Sequence, residues 1–141
     1  MPQIAETDEE VENCFDVMSE LRPHLTRDEF LPLVRQMESE GYSMAYIQEG
    51  DEIVTVAGYR ISTNLHMGKH LYINDLVATS DARSKGYGAE MIRWLRDKAK
   101  SCGCSFFDLD SGTQRGRAHK FYFEQGFTID SYHFSEKLVD S

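Results

Sequence analysis

No stretch of this sequence holds the roughly 20 consecutive apolar residues that a membrane-spanning helix needs. Its first ten residues, MPQIAETDEE, lack the basic, apolar and small-residue order of a secretory leader. No membrane association is expected, and a cytoplasmic location is. Cysteine is scarce: Cys14, Cys102 and Cys104 form an odd set without a C-x-x-C pair. That argues against a disulfide framework or a zinc ribbon and for free, at least half-buried thiols. Positive charge is short as well. Lys and Arg number 15 against 24 Asp and Glu, a formal net charge of -9, and such a surface repels the phosphates of nucleic acid. A cationic or amine-bearing partner suits it better. Repeats and low-complexity segments are missing too.

What is present is enough for a core. With 141 residues, 40% of them apolar, one globular domain over 1–141 is expected. Residues 2–6 read as a short edge strand. Thr7 with Glu10, and Thr26 with Glu29, are capping boxes, each followed by apolar residues at helical spacing. The first helix ends near Arg22-Pro23, and the second stops at Gly41, with Pro32 predicting a kink or a separate first turn. YSMAYIQ and IVTVAGYRIS flank the turn EGDE and form an antiparallel hairpin with Ile53, Thr55, Ala57, Tyr59 and Ile61 on one face. The polar loop TNLHMGKH leads to the strand LYINDLVAT. Alternation there places Leu71, Ile73, Asp75 and Val77 on one face, against Tyr72, Asn74, Leu76 and Ala78 on the other. A glycine-rich turn opens a helix carrying Met91, Ile92, Leu95 and Ala99. The strand CSFFDLD follows, then a helix with Ala118, Phe121 and Tyr122 that stops at Gly126, and FTIDSYHFSEKL closes the chain as one or two strands. The order β-α-α-β-β-β-α-β-α-β gives a mixed sheet with helices over its faces.

The segment ARSKGYGAEM carries chemistry. A strand, a glycine turn and a helix start in succession offer free backbone N–H groups and the positive end of a helix dipole to an anion. Arg83 and Lys85 add charge, and Ser84 adds a donor. The G-x-G-x-x-G fingerprint fails because Met91 stands three residues after Gly88, and the P-loop pattern is absent. Taken alone, the segment is compatible with either a phosphate site or a flexible, solvated loop.

RSKGYG after LYINDLVAT resembles the acetyl-CoA signature R/Q-x-x-G-x-G/A of the GNAT N-acetyltransferase superfamily, and AHKFYFEQGF resembles that family's A-x-x-x-Y-x-x-x-G-F segment. The resemblance spans essentially the whole chain. It implies an α+β fold: a central mixed, mostly antiparallel sheet, splayed at its middle strands and flanked by about four helices. It also implies acetyl-CoA as co-substrate, with no metal. Arg83, Ser84, Lys85, Gly86, Tyr87, Gly88 and Ala89 would hold the diphosphate. Leu76, Val77 and Ala78 would bond the pantetheine arm and polarise the thioester. Tyr122 falls where many relatives place the acid that protonates the departing thiolate, since a phenol can supply that proton and regain it from solvent. Many relatives have Asn where this chain has Arg115, which is expected to reach a phosphate or an anionic part of the substrate instead. Some carry a basic Glu where this chain has Asn74, so Asp75 becomes the candidate base, with a purely structural role as the alternative.

The implied reaction is direct attack of a small-molecule primary amine on acetyl-CoA in a ternary complex. A route through Cys102 or Cys104 is less favoured, because neither lies in the expected site. The alternatives are acetylation of a protein amine, or an acyl-CoA-binding module without turnover. Arg22, His24, Tyr59, Asp110 and His119 are the candidate substrate contacts, and Asp110, His119 and His133 are the alternative proton acceptors. His66 and His70 are read as loop residues and not as a metal pair. Homodimers are frequent in the family, and Tyr132 and Phe134 permit pairing through the final strands.

Overall fold

The computed structural model describes residues 1–140. Two compact units divide the chain after Leu109.

The first unit begins with β1 (Gln3–Ile4), then the helices α1 (Asp8–Asn13), α2 (Phe15–Leu21) and α3 (Arg27–Glu38). Both predicted capping boxes form: Thr7 and Glu10 bond each other's backbone, as do Thr26 and Glu29. The first helix is broken in two at Cys14. Pro32 lies inside one continuous α3, so the first turn is not detached from the helix. Strands β2 (Tyr42–Glu49), β3 (Glu52–Asn64), β4 (Gly68–Ala78) and β5 (Phe106–Leu109), with α4 (Tyr87–Ser101) between the last two, complete the unit.

The five strands lie in sequence order, antiparallel from β1 to β4, with β5 parallel to β4. This is the expected mixed α+β sheet. Pairing of β4 with β5 stops at Ile73 and Leu109, while β4 runs on to Ala78. Within this unit the end of β4 therefore has a neighbour on the β3 side alone.

Residues directly opposite in an antiparallel pair share a face, so register shows where the core lies. Tyr42, Met44, Tyr46, Val56 and Val77 join Val11, Cys14, Val17, Met18, Phe30 and Val34 in one buried cluster under α1, α2 and α3. On the opposite face α4 packs on β3 and β4. It buries Met91, Ile92 and Leu95 completely, each stabilising by about 1.5–3 kcal/mol before entropy is counted. Trp94 meets the buried Tyr59 edge to face at 6.5 Å.

Two bulges overturn the predicted alternation. Ile47 pairs with Thr55 but Gln48 with Ile53, so Val54 is an extra residue. Ile53 consequently packs on the cluster under the first helices, away from Thr55, Ala57 and Tyr59. In the same way Gly58 pairs with Asp75 but Tyr59 with Ile73, leaving Asn74 extra. Leu71 and Ile73 thus share the α4 face with Leu76, whereas Asp75 and Val77 face the first helices. An inserted residue shifts a strand's alternation by one, and hydrophobic pattern alone does not reveal it.

His70 is also placed differently from the sequence reading. It lies within β4, not in the loop, and its Nδ1 is 2.7 Å from Asp108 Oδ1. No cluster able to hold a metal ion occurs among the described residues.

The second unit holds α5 (Gly116–Glu124). The amide of Phe127 bonds the carbonyl of Tyr122, and the amide of Gly126 that of Phe123, which is a Schellman stop. The strands predicted in FTIDSYHFSEKL do not form: residues 127–140 carry neither helix nor strand. Ile129, Tyr132, Phe134 and Leu138 are exposed. Alternating apolar residues become a strand only when a ladder satisfies their backbone, and nothing in this unit supplies one.

Candidate active site

At the end of β4, Leu76, Val77 and Ala78 pair with Ala57, Val56 and Thr55 of β3. A single 3₁₀ turn, Ser80–Ala82, hands the chain to the loop. Arg83, Ser84, Lys85 and Gly86 are exposed. Ser84 holds a φ of 71°, a left-handed value that is uncommon and costly for a residue with a side chain. Gly86 caps α4 at φ 88° and ψ 1°, where glycine has no steric cost, and no side chain caps this helix. The first intrahelical bond runs from Glu90 N to Gly86 O. The amides of Tyr87, Gly88 and Ala89 therefore precede the helix's own hydrogen bonding and point toward the loop. Arg83 reaches Glu20 of α2 at 3.5 Å, and the same carboxylate oxygen accepts from the Ser80 amide.

Asp75 sits in a polar cluster assembled from three distant segments. Its Oδ1 accepts from Arg22 Nε at 3.0 Å and lies 2.9 Å from Nη2, while its Oδ2 accepts from the Tyr42 hydroxyl at 2.8 Å. Arg22 Nη2 also donates to the Asn74 carbonyl at 3.1 Å. Asn74 Oδ1 is buried without a hydrogen-bond partner. Burial, reinforced by the Asp75 charge, pushes the Tyr42 phenol well above its usual range. The ring of Tyr42 lies directly over Gly58, where an added Cβ would fall 1.7 Å from the hydroxyl oxygen.

Arg22 was expected to contact substrate and Asp75 to act as base; the structure brings these two together with Tyr42. Sequence reasoning missed Tyr42 and Gly58. A signal was available, since a glycine inside the strand TVAGYRI marks a close approach by other atoms. Tyr59 is in the core against Trp94, with burial pushing its phenol up to about 12. It presents no surface to an acceptor. His24 is exposed beyond the end of α2.

In the second unit Arg115 is the cap residue of α5. Tyr122 packs edge to face on Phe121 and Phe127, at 5.4 and 5.9 Å. Burial raises its phenol above the ordinary value, while the Arg115 charge works in the opposite direction by favouring the phenolate. His119 Nε2 donates to the Gly112 carbonyl at 2.7 Å, and His133 Nδ1 lies 3.9 Å from Asp110 Oδ2. The three cysteines are free, and burial, with help from Glu10, raises the Cys14 thiol to about 12.

Comparison with known proteins bears on this arrangement. The chain is 38% identical over 140 residues to YhdJ of Bacillus subtilis, an uncharacterized N-acetyltransferase, with 98% of each sequence covered. It is 27% identical over 82 residues, 53% of each chain, to the aminoalkylphosphonate N-acetyltransferase of Salmonella typhimurium. Its backbone matches a GNAT family acetyltransferase of Staphylococcus aureus with a TM-score of 0.82 at 15% identity, over 98% of both chains. The profile of the acetyltransferase (GNAT) family matches residues 6–127. With the glycine loop after β4, the tyrosine helix and the sheet order all in agreement with that match, the chain belongs to the GNAT acetyltransferase family.

Proposed function

We propose that residues 1–141 form a single N-acetyltransferase domain, which moves the acetyl group of acetyl-CoA to a primary amine of a small molecule by direct attack in a ternary complex. The observation that carries this is the exposed loop from Arg83 to Gly86, which leads into an uncapped helix start. Free amides, a helix dipole and two cationic side chains suit a diphosphate, so the residues present fit the co-substrate. Acetyl-CoA supplies an electrophilic thioester carbonyl and a thiol leaving group.

The chain's own contributions are assigned from the family resemblance. Arg83 to Ala89 bind the diphosphate, and Arg115 is assigned to a further phosphate. Backbone groups of Leu76, Val77 and Ala78 hold the pantetheine amides. An N–H of Leu76 or Ala78 stabilises charge on the thioester oxygen as the amine adds. Tyr122 keeps its proton at neutral pH and gives it to the departing thiolate, the Arg115 charge eases formation of the phenolate, and the proton that the amine nitrogen loses to solvent balances the one that Tyr122 regains from it. His24, Asp110 and His119 are assigned to the amine acceptor. Asp75 is assigned an anchoring role, because both of its oxygens already accept from Arg22 and Tyr42.

The test is release of CoA thiol across a panel of amines, beginning with aminoalkylphosphonates, the class named for the Salmonella relative, and extending to polyamines, aminoglycosides, amino acids and peptides. Release that depends on one small-amine class is expected. Tyr122→Phe should lower kcat roughly 100-fold with acetyl-CoA binding unchanged. Binding by calorimetry without amine-dependent release would favour a non-catalytic acyl-CoA module, and release with peptides alone would move the acceptor to a protein amine.

A further inference from the structure

We propose that Arg22 and Tyr42 are positioning residues which, through Asp75, hold the β4 bulge in place and so decide how the backbone of Leu76–Ala78 meets the thioester; this rests on the function proposed above. The bulge is the point at issue because one extra residue, Asn74, separates the Ile73–Tyr59 pair from the Asp75–Gly58 pair. A shift of one residue in a strand reverses every side chain beyond it. It equally exchanges the backbone groups that face β3 with those that face away. The side facing away is the one β5 does not reach, since its pairing ends at Ile73. Whether the N–H of a given residue there can serve the thioester is thus set by the bulge.

A bulged residue loses its ladder partners, so something else must fix it. The Asn74 side-chain oxygen does not do so, as Oδ1 makes no hydrogen bond. The hold comes from outside the strand. Arg22, at the end of α2, takes the Asn74 carbonyl and the Asp75 carboxylate with one guanidinium. Tyr42, at the start of β2, donates to the other carboxylate oxygen. Gly58, the cross-strand neighbour of Asp75, leaves room for the tyrosine ring to cross over. A carboxylate gripped by a charged fork and a phenol is confined in both position and rotation. Leu76, Val77 and Ala78 follow directly from it. The side-chain hydrogen bonds of Arg22 and Tyr42 go to Asn74 and Asp75, while Glu20 is the α2 residue that holds Ser80 and Arg83, so substitutions at Arg22 and Tyr42 act on carbonyl placement before they act on phosphate binding.

The full-length chain carrying Arg22→Lys or Tyr42→Phe tests this. Each variant keeps the size of the side chain, and the first keeps its charge. The expected result is a kcat for thiol release lowered about 10- to 100-fold, the range that a small misplacement produces, a larger factor than the accompanying loss of calorimetric affinity for acetyl-CoA. Amide hydrogen exchange at residues 74–78 should quicken about tenfold while exchange in the middle of α4 stays as it was, the signature of a local opening. Unchanged kcat and unchanged exchange in both folded variants would overturn the proposal. Exchange is read without any co-substrate. Failure of the wild-type chain to bind acetyl-CoA would therefore sink the proposed function, while the exchange data would still judge the hold on the bulge.

Discussion

Gly58 shows how much one missing side chain can specify. It lies in the middle of β3, where glycine weakens a strand, yet the Tyr42 ring occupies the space a Cβ would need. Tyr42 is itself buried and cannot swing away. Gly58→Ala is expected to destabilise by about 1–3 kcal/mol or more, the cost of overpacking a closed site, as a lower urea midpoint. Combining it with Tyr42→Ala should cost less than the sum of the two, because the second change removes the clash. Additive costs would mean that the ring and the glycine do not compete for the same space. Asp75 makes a parallel point. The residue was visible in the sequence as an acid in a strand, but its partners Arg22 and Tyr42 come from elsewhere in the chain.

Among the elements, the capped helices are where local sequence predicts structure best. Thr7 and Glu10 close a box around the start of α1, and the Glu10 carboxylate accepts from the amides of Thr7 and Glu6 and from the Tyr46 hydroxyl. Those bonds, the Thr7 amide foremost and Tyr46 next, lower its pKa from 4.5 to about 2. A carboxyl depressed by folding contributes stability that is present above its unfolded pKa and is lost as pH falls through the folded one. The stability of the wild type should therefore drop between pH 4.5 and 2. Glu10→Gln should drop less steeply over that range in urea titrations, and an equal slope would show that the bonds do not persist in solution. The strands behave differently from the helices. The existence and order of β1 to β5 were legible, but the faces of β3 and β4 were not, because Val54 and Asn74 interrupt the alternation. The final predicted strands did not form, since alternation names a face without providing a partner.

Over the whole molecule, alkaline pH is the informative perturbation. Tyr42 and Tyr59 are buried with phenols raised, that of Tyr59 to about 12. A group raised by folding stabilises fully below its unfolded pKa and ceases to do so as pH climbs through the folded value. Above pH 10 the unfolded chain releases these protons while the folded chain keeps them, so stability must fall with pH, by up to about 1.4 kcal/mol per pH unit for each such phenol. Tyr59→Phe should flatten the decline between pH 10 and 12 when unfolding is followed in urea. A decline as steep as that of the wild type would show that Tyr59 ionises without opposing the fold. At this scale the acidic surface, net charge -9, accords with a cationic amine as partner, and the family match crosses from the first unit into the second.

Sequence by itself determined the order of strands and helices up to α5, apart from the break at Cys14, together with the two capping boxes, the glycine loop that opens α4 and the tyrosine on α5. Each of these depends on residues a few positions apart, whose spacing states the local geometry directly. Family membership was legible for the same reason, through two short motifs in their places between elements. Only the tertiary structure decided the two bulges, the faces that follow from them, the burial of Tyr59, the pairing of His70 with Asp108 and the joining of Asp75 to Arg22 and Tyr42. Those features arise where segments far apart in the chain meet. Contacts across such separations are selected by packing and by the need to satisfy buried polar groups, and no local pattern encodes them.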